Sequence, residues 1–87
     1  MMHVLVPGPL RSYTNDAAKV SADGATLAEV VGDLELRYPG IRFRIIDEQG
    51  SIRQHIKFFV NGVQARDLSP RLAGNDEVMI VCALTGG

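Results

Sequence analysis

Short runs of alternating apolar and polar residues flank one longer stretch whose apolar positions repeat at helical spacing. His3 to Val6 is a β-branched and aliphatic run halted by Pro7-Gly8-Pro9, since proline cannot donate to a sheet ladder. Beyond the turn-rich Tyr13-Thr14-Asn15-Asp16, residues Ala18, Val20 and Ala22 alternate with Lys19, Ser21 and Asp23, the period of a half-buried strand. These two runs read as an antiparallel hairpin. Next, Leu27, Val30, Val31, Leu34 and Tyr38 form one continuous helical face. Thr26 and Glu29 have capping-box spacing at its start. Pro39-Gly40 stops it, because the residue before a proline avoids the α region.

The segment Ile41 to Ile46 alternates like a strand but is short and boxed between Pro39-Gly40 and a polar loop. It reads as irregular chain or a brief helical turn. Ile56, Phe58 and Val60 then alternate with His55, Lys57 and Phe59 until Asn61-Gly62, a tight-turn dipeptide. Leu68 to Glu77 reads as a loop with a short turn, anchored by Leu68 and Leu72. Glu77 to Leu84 is the last strand, and its nearly continuous apolar run places it centrally in a sheet. A hairpin, a helix crossing one sheet face and a central last strand make the β-grasp (ubiquitin-like) arrangement. The expected class is α+β: a mixed sheet of four to five strands with one main helix packed on one face. Parity then sorts the side chains. With Val78, Ile80 and Cys82 toward the helix, Met79 and Val81 face away, and Phe59 points outward while Phe58 is core. Three large apolar residues on neighbouring strands of an exposed face mark a docking surface.

The chain has 87 residues, 46% of them apolar, and a net charge of −1. That length makes residues 1–87 a single domain with no room for a second core. So small a core does not support a large internal active-site cavity, and function is expected on the surface or at an end. The longest apolar run, Val78 to Leu84, is too short for a bilayer, which needs about 20 residues. The opening MMHVLVPGP lacks the basic leader and apolar stretch of a secretory signal. The lone cysteine, Cys82, has no internal disulfide partner, so a cytoplasmic location is expected. Near-zero charge argues against nucleic acid as the main partner. Arg37, Arg42, Arg44 and Arg53 are interspersed with Asp47 and Glu48 and read as a solvated or protein-facing patch. No nucleophile elbow, P-loop or paired metal motif occurs. His3 and His55 stand alone as surface strand residues, and Asp76 and Glu77 read as turn residues, so no metal site is expected. The chain is therefore not expected to be a catalyst itself.

The sequence closes on Leu84-Thr85-Gly86-Gly87. Together the capped helix, Phe58-Phe59-Val60-Asn61-Gly62, the stretch GNDEVMIV from Gly74 to Val81, and this final LTGG resemble the ThiS/MoaD-type ubiquitin-like sulfur carriers. The resemblance spans essentially the whole chain. It implies that the Gly87 carboxylate, with Gly86 beside it, is adenylated by an E1-like enzyme using ATP. Conversion to a thiocarboxylate that donates sulfur follows. Leu84 and Thr85 complete a flexible tail over residues 84–87, and Phe59 and Val81 match the surface that docks the activating enzyme. The implied partners are an E1-like adenylyltransferase/sulfurtransferase, a sulfur-accepting biosynthetic enzyme and a metallopeptidase. No cofactor is expected to be held stably; ATP belongs to the activating partner. The stretch Arg37 to Gly62 is most similar to carriers serving cysteine biosynthesis, with thio-containing metabolites as related destinations. A molybdopterin synthase small subunit and a modifier conjugated to lysine are the alternatives. Family members carry prolines just before the last four residues, whereas this chain has Cys82-Ala83, with Cys82 expected as a small core residue.

The chemistry accounts for such a tail. An α-carboxyl group is ionised at neutral pH and is a poor electrophile until adenylation supplies a leaving group. Residues 84–87, extended at ~3.3 Å each, reach roughly 13 Å. Glycines, having no Cβ, pass a narrow channel and accept backbone angles closed to other residues.

Overall fold

In the computed structural model, which describes residues 2–83, the elements run β1 (Met2–Leu5), β2 (Lys19–Ala22), α1 (Leu27–Arg37), α2 (Ile41–Ile45), β3 (Ile56–Val60), β4 (Val63–Ala65) and β5 (Glu77–Cys82). The strand order in the sheet is β2-β1-β5-β3-β4. β5 lies in the middle, parallel to β1 and antiparallel to β3, while β1–β2 and β3–β4 are antiparallel pairs. This is the β-grasp architecture expected of the pattern, with α1 packed on one face. Val4, Phe58 and Val78 from the sheet meet Leu27, Val30, Val31 and Leu34 from α1, all fully buried.

α1 forms where its apolar face and its start signals agree. The Thr26 hydroxyl accepts from Glu29 N at 3.2 Å, while Glu29 Oε1 reaches back to Ala25 N at 2.9 Å. The reciprocal bond thus goes to the residue before the cap, not to Thr26 itself. The first two helical amides, Leu27 N and Ala28 N, donate to the carbonyls of Pro70 and Leu68 at 3.0 Å each. The loop anchored by Leu68 and Leu72 therefore closes the helix start, satisfying donors that have no intrahelical partner.

The ambiguous segment Ile41 to Ile46 resolves as α2, whose Ile41 and Ile45 are buried. Its start depends on Glu35 of α1. That carboxylate accepts from Gly40 N at 3.0 Å and from Arg42 N at 3.0 Å, which hold it below the usual carboxylate pKa. Gly40 sits at φ 99°, a backbone region that favours glycine, and a Cβ there would press on the Tyr13 ring at 3.1 Å.

Three boundaries differ from the sequence pattern. The second strand is only four residues long, and Ala18, expected on its inner face, is exposed in the connection, where its carbonyl accepts from Val6 N at 2.8 Å. That connection is a 3-10 turn over Gly8–Tyr13 with Leu10 buried, not a tight hairpin loop. β1 and β3 start at Met2 and Ile56 rather than at His3 and His55. The pattern also left β4 unassigned. Asn61 (φ 50°) and Gly62 (φ 86°) are both left-handed, the two-residue turn whose twist matches a hairpin, and β4 follows directly.

This turn is tied to the central strand. Asn61 Nδ2 donates to Asp76 Oδ1 at 2.9 Å, Glu77 N donates to Asn61 Oδ1 at 3.0 Å, and Asn61 N donates to Glu77 O at 2.9 Å. Asp76 Oδ2 also accepts from Ala73 N at 2.8 Å. The Ala73 amide first, then the Asn61 side chain, pull the Asp76 pKa below the ordinary carboxylate range.

Two outcomes are expected. Leu34→Ala empties a fully buried site and should cost about 2–5 kcal/mol in urea unfolding. Because the folded-state pKa of Asp76 is depressed, its stabilisation is present above the unfolded value of about 4 and is lost as pH falls through the lower folded value. Asp76→Asn should therefore lower Tm at neutral pH and make the decline in Tm below about pH 4 shallower than in the wild type.

Candidate functional site

The face of the sheet away from α1 carries an apolar patch centred on β5. Phe59 of β3 stands opposite Met79, and Leu5 of β1 is in register with Met79 from the other side. Val81 follows two residues along, opposite Lys57. Met79 thus has Phe59 and Leu5 as its cross-strand neighbours, and Val81 continues the same face of β5, since residues two apart on a strand share a face. Met79 is 39% exposed, while Leu5, Phe59 and Val81 are half-buried. The inner partners of the same strands are sealed: Phe58, Val78 and Ile80 are at 0%, 0% and 2% exposure. The strand parity expected of Phe59, Met79 and Val81 holds at each position. Leu5 was not singled out by the sequence pattern. Alternation within the first strand carries the signal, since buried Val4 and Val6 leave His3 and Leu5 outward.

Beyond the patch β5 runs to the edge of the sheet. Cys82 is in register with Ile56, and Ala83 N donates to His55 O at 2.7 Å. Leu84, Thr85, Gly86 and Gly87, the expected reactive tail, lie outside the described residues. Cys82 is half-buried against the core, as expected of a small packing residue. His3 and His55 are both exposed. The four arginines of the expected patch are divided in role. Arg37 pairs with Asp33 at 2.8 Å, whereas Arg53 lies 4.7 Å above the Phe43 ring and donates from Nε to the Phe43 carbonyl at 2.7 Å. Among the described residues no helix is long and apolar enough to cross a membrane.

A rigid apolar patch beside the point where the last strand ends can seat a partner while presenting whatever follows Ala83. The ThiS family profile matches residues 4–87, patch and closing glycines included. The chain belongs to the ThiS family. It is 36% identical to the sulfur carrier protein CysO of Mycobacterium tuberculosis over 97% of this chain and 96% of that protein. A crystal structure of M. tuberculosis CysO superposes with a TM-score of 0.92 at 34% identity, covering 97% of this chain and 100% of the other. The Amycolatopsis orientalis CysO in the crystal structure of a BexX/CysO complex gives 0.93 at 31% identity, with full coverage of both chains. The small archaeal modifier protein 1 of Methanosarcina acetivorans shares the fold, with a TM-score of 0.82 at 23% identity over 99% of this chain and 95% of that one. The chain is thus a sulfur carrier with a sulfur-donor role in biosynthesis, a protein co-substrate and not an enzyme.

The two faces of β5 should respond oppositely to the same change. Val81→Asp on the outer face should alter stability by no more than about 1 kcal/mol, the range of strand-propensity effects. Val78→Asp buries an unpaired carboxylate and should cost more than about 4 kcal/mol or prevent folding. Thermal unfolding of the two variants checks the assignment.

Proposed function

We propose that Gly87 is the group that carries the sulfur, and that the patch of Leu5, Phe59, Met79 and Val81 docks the enzyme that charges it. The carrying observation is the position of this patch on the strand that leads into the tail, in a chain whose family match runs through Gly87. The Gly87 carboxylate oxygen attacks the α-phosphorus of ATP in the partner's site, and pyrophosphate leaves. A hydrosulfide-level nucleophile then attacks the acyl carbon; the C–S bond forms, the C–O bond to AMP breaks, and the thiocarboxylate results without change of oxidation state at carbon. Sulfur travels in this form to a biosynthetic acceptor enzyme, with cysteine or a thio-containing metabolite as product. The complex formed by the A. orientalis relative with BexX supports delivery by protein docking. In this reading the carrier supplies no catalytic group to these steps; it supplies the apolar seat and the acyl group of Gly87.

Deleting Gly87 should leave Tm unchanged and abolish ATP–pyrophosphate exchange when the chain is mixed with an E1-like enzyme encoded in the same genome. Exchange at the wild-type rate by the truncated chain would refute the role of Gly87.

A further inference from the structure

Charge is unevenly placed on this chain. Around the end of β5 a surface strip gathers Arg44, Arg53, Lys57 and Arg66 with His55 among them; of the described carboxylates Glu48 lines it, and Glu35 and Asp47 line the groove that adjoins it at Phe43 and Glu48. A groove of about 270 Å³ holds Arg44, Arg53, His55 and Glu48, a second of about 200 Å³ holds Arg53, Lys57 and Arg66, and a third joins His55 and Lys57 to Ala83. Among the described residues three cations and no carboxylate line the second groove, on a protein whose net charge is −1. The described side-chain ion pair is Arg37–Asp33, and no described carboxylate lies within salt-bridge distance of Arg44, Arg53, Lys57 or Arg66. Clustering like charges works against folding through self-repulsion; Arg53 is held by the Phe43 ring and carbonyl, whereas Lys57 and Arg66 have no such hold among the described contacts.

We infer that this strip is a steering surface for a partner protein whose tail-accepting opening is rimmed by carboxylates. The inference rests on the tail-and-patch reading above and adds the chemistry of the partner's rim. Three features select that occupant. The strip is continuous with the apolar patch, because Lys57 is in register with Val81, and an apolar patch has no counterpart on a phosphate backbone. It lies beside Ala83, where His55 and Lys57 line the groove that reaches the end of the described chain. Its two cations nearest the patch are carried by the sheet, Lys57 on β3 and Arg66 directly after β4, while Arg44 lies on α2 and Arg53 in the connection before β3. Rim charges of this kind act mainly on the rate of encounter.

The experiment measures association of the full chain with the E1-like enzyme of the same genome by stopped flow. Salt is varied from about 20 mM to about 300 mM, which shortens the Debye length from ~20 Å to ~6 Å. The wild-type rate should fall steeply with salt. The double variant Lys57→Glu, Arg66→Glu should associate about tenfold or more slowly at low salt and lose the salt dependence, with its Tm near that of the wild type. Arg71→Glu, an equal change per residue outside the strip, should stay within about twofold of wild type. Equal rates for the double variant and the wild type, or an equal slowing per charge in Arg71→Glu, would overturn the inference while leaving the carrier reading intact. A wild-type chain that supports no pyrophosphate exchange would overturn both.

Discussion

The structure depends on β5 being held from both sides. Its amides and carbonyls are shared between β1 and β3, so each residue is committed to one face. Val78 and Ile80 complete the core under α1, and Met79 and Val81 are thereby fixed outward. A slip of one residue would exchange the two sets, burying the patch and exposing the core. Two groups of bonds oppose such a slip. The Asn61, Asp76 and Glu77 clasp anchors the start of the strand, and the Ala83–His55 bond anchors its end. One register therefore sets the core, the patch and the point from which the proposed reactive end departs.

The same economy explains why the chemistry belongs to partners. A helix N-terminus is the usual place for a small α+β protein to hold a phosphate. Here the first amides of α1 are taken by the carbonyls of Leu68 and Pro70 and by Thr26, and at α2 Ile41 N donates to the Tyr38 carbonyl while Gly40 N and Arg42 N donate to the Glu35 carboxylate. These donors stabilise the fold and leave no ready cradle for a nucleotide.

Legibility in the sequence followed the range of the forces involved. α1, β3 and β5 were readable because their apolar periodicity is dictated by a single packing face, and Phe58 against Phe59 shows how far parity alone goes. α2 was left open between irregular chain and the brief helical turn it proves to be, since five residues make a short periodic signal and its start is set by Glu35 and by a left-handed Gly40 packed on Tyr13. β4 was missed because Val63 and Gln64 are exposed, leaving Ala65 as its one buried residue. Ala18 misled because alternation continues in the sequence past the point where the chain turns away from β1. Within the site, Phe59, Met79 and Val81 were visible from parity, while Leu5 needed its cross-strand register with Met79 to join them. Of the basic strip the sequence grouped Arg44 with Arg53, while Lys57 and Arg66 join them only because β3 and the end of β4 lie beside that connection in the fold.

The proposed cycle, with charging by one protein and discharge to another, requires the carrier to leave each readily. Four apolar side chains at ~1.5–3 kcal/mol each give a gross ~6–12 kcal/mol, and less here because three are already half-buried. Association itself costs an estimated ~4–15 kcal/mol in lost translational and rotational freedom and ordering. The surplus from such a patch is small, which keeps complexes short-lived. Affinity raised by enlarging the patch would slow release, since differences between related complexes lie mostly in the dissociation rate. Charge at the rim acts on the other side of the balance, raising the encounter rate without lengthening the stay. A modest apolar seat beside a concentrated basic edge is the combination that lets one small protein be loaded and unloaded repeatedly.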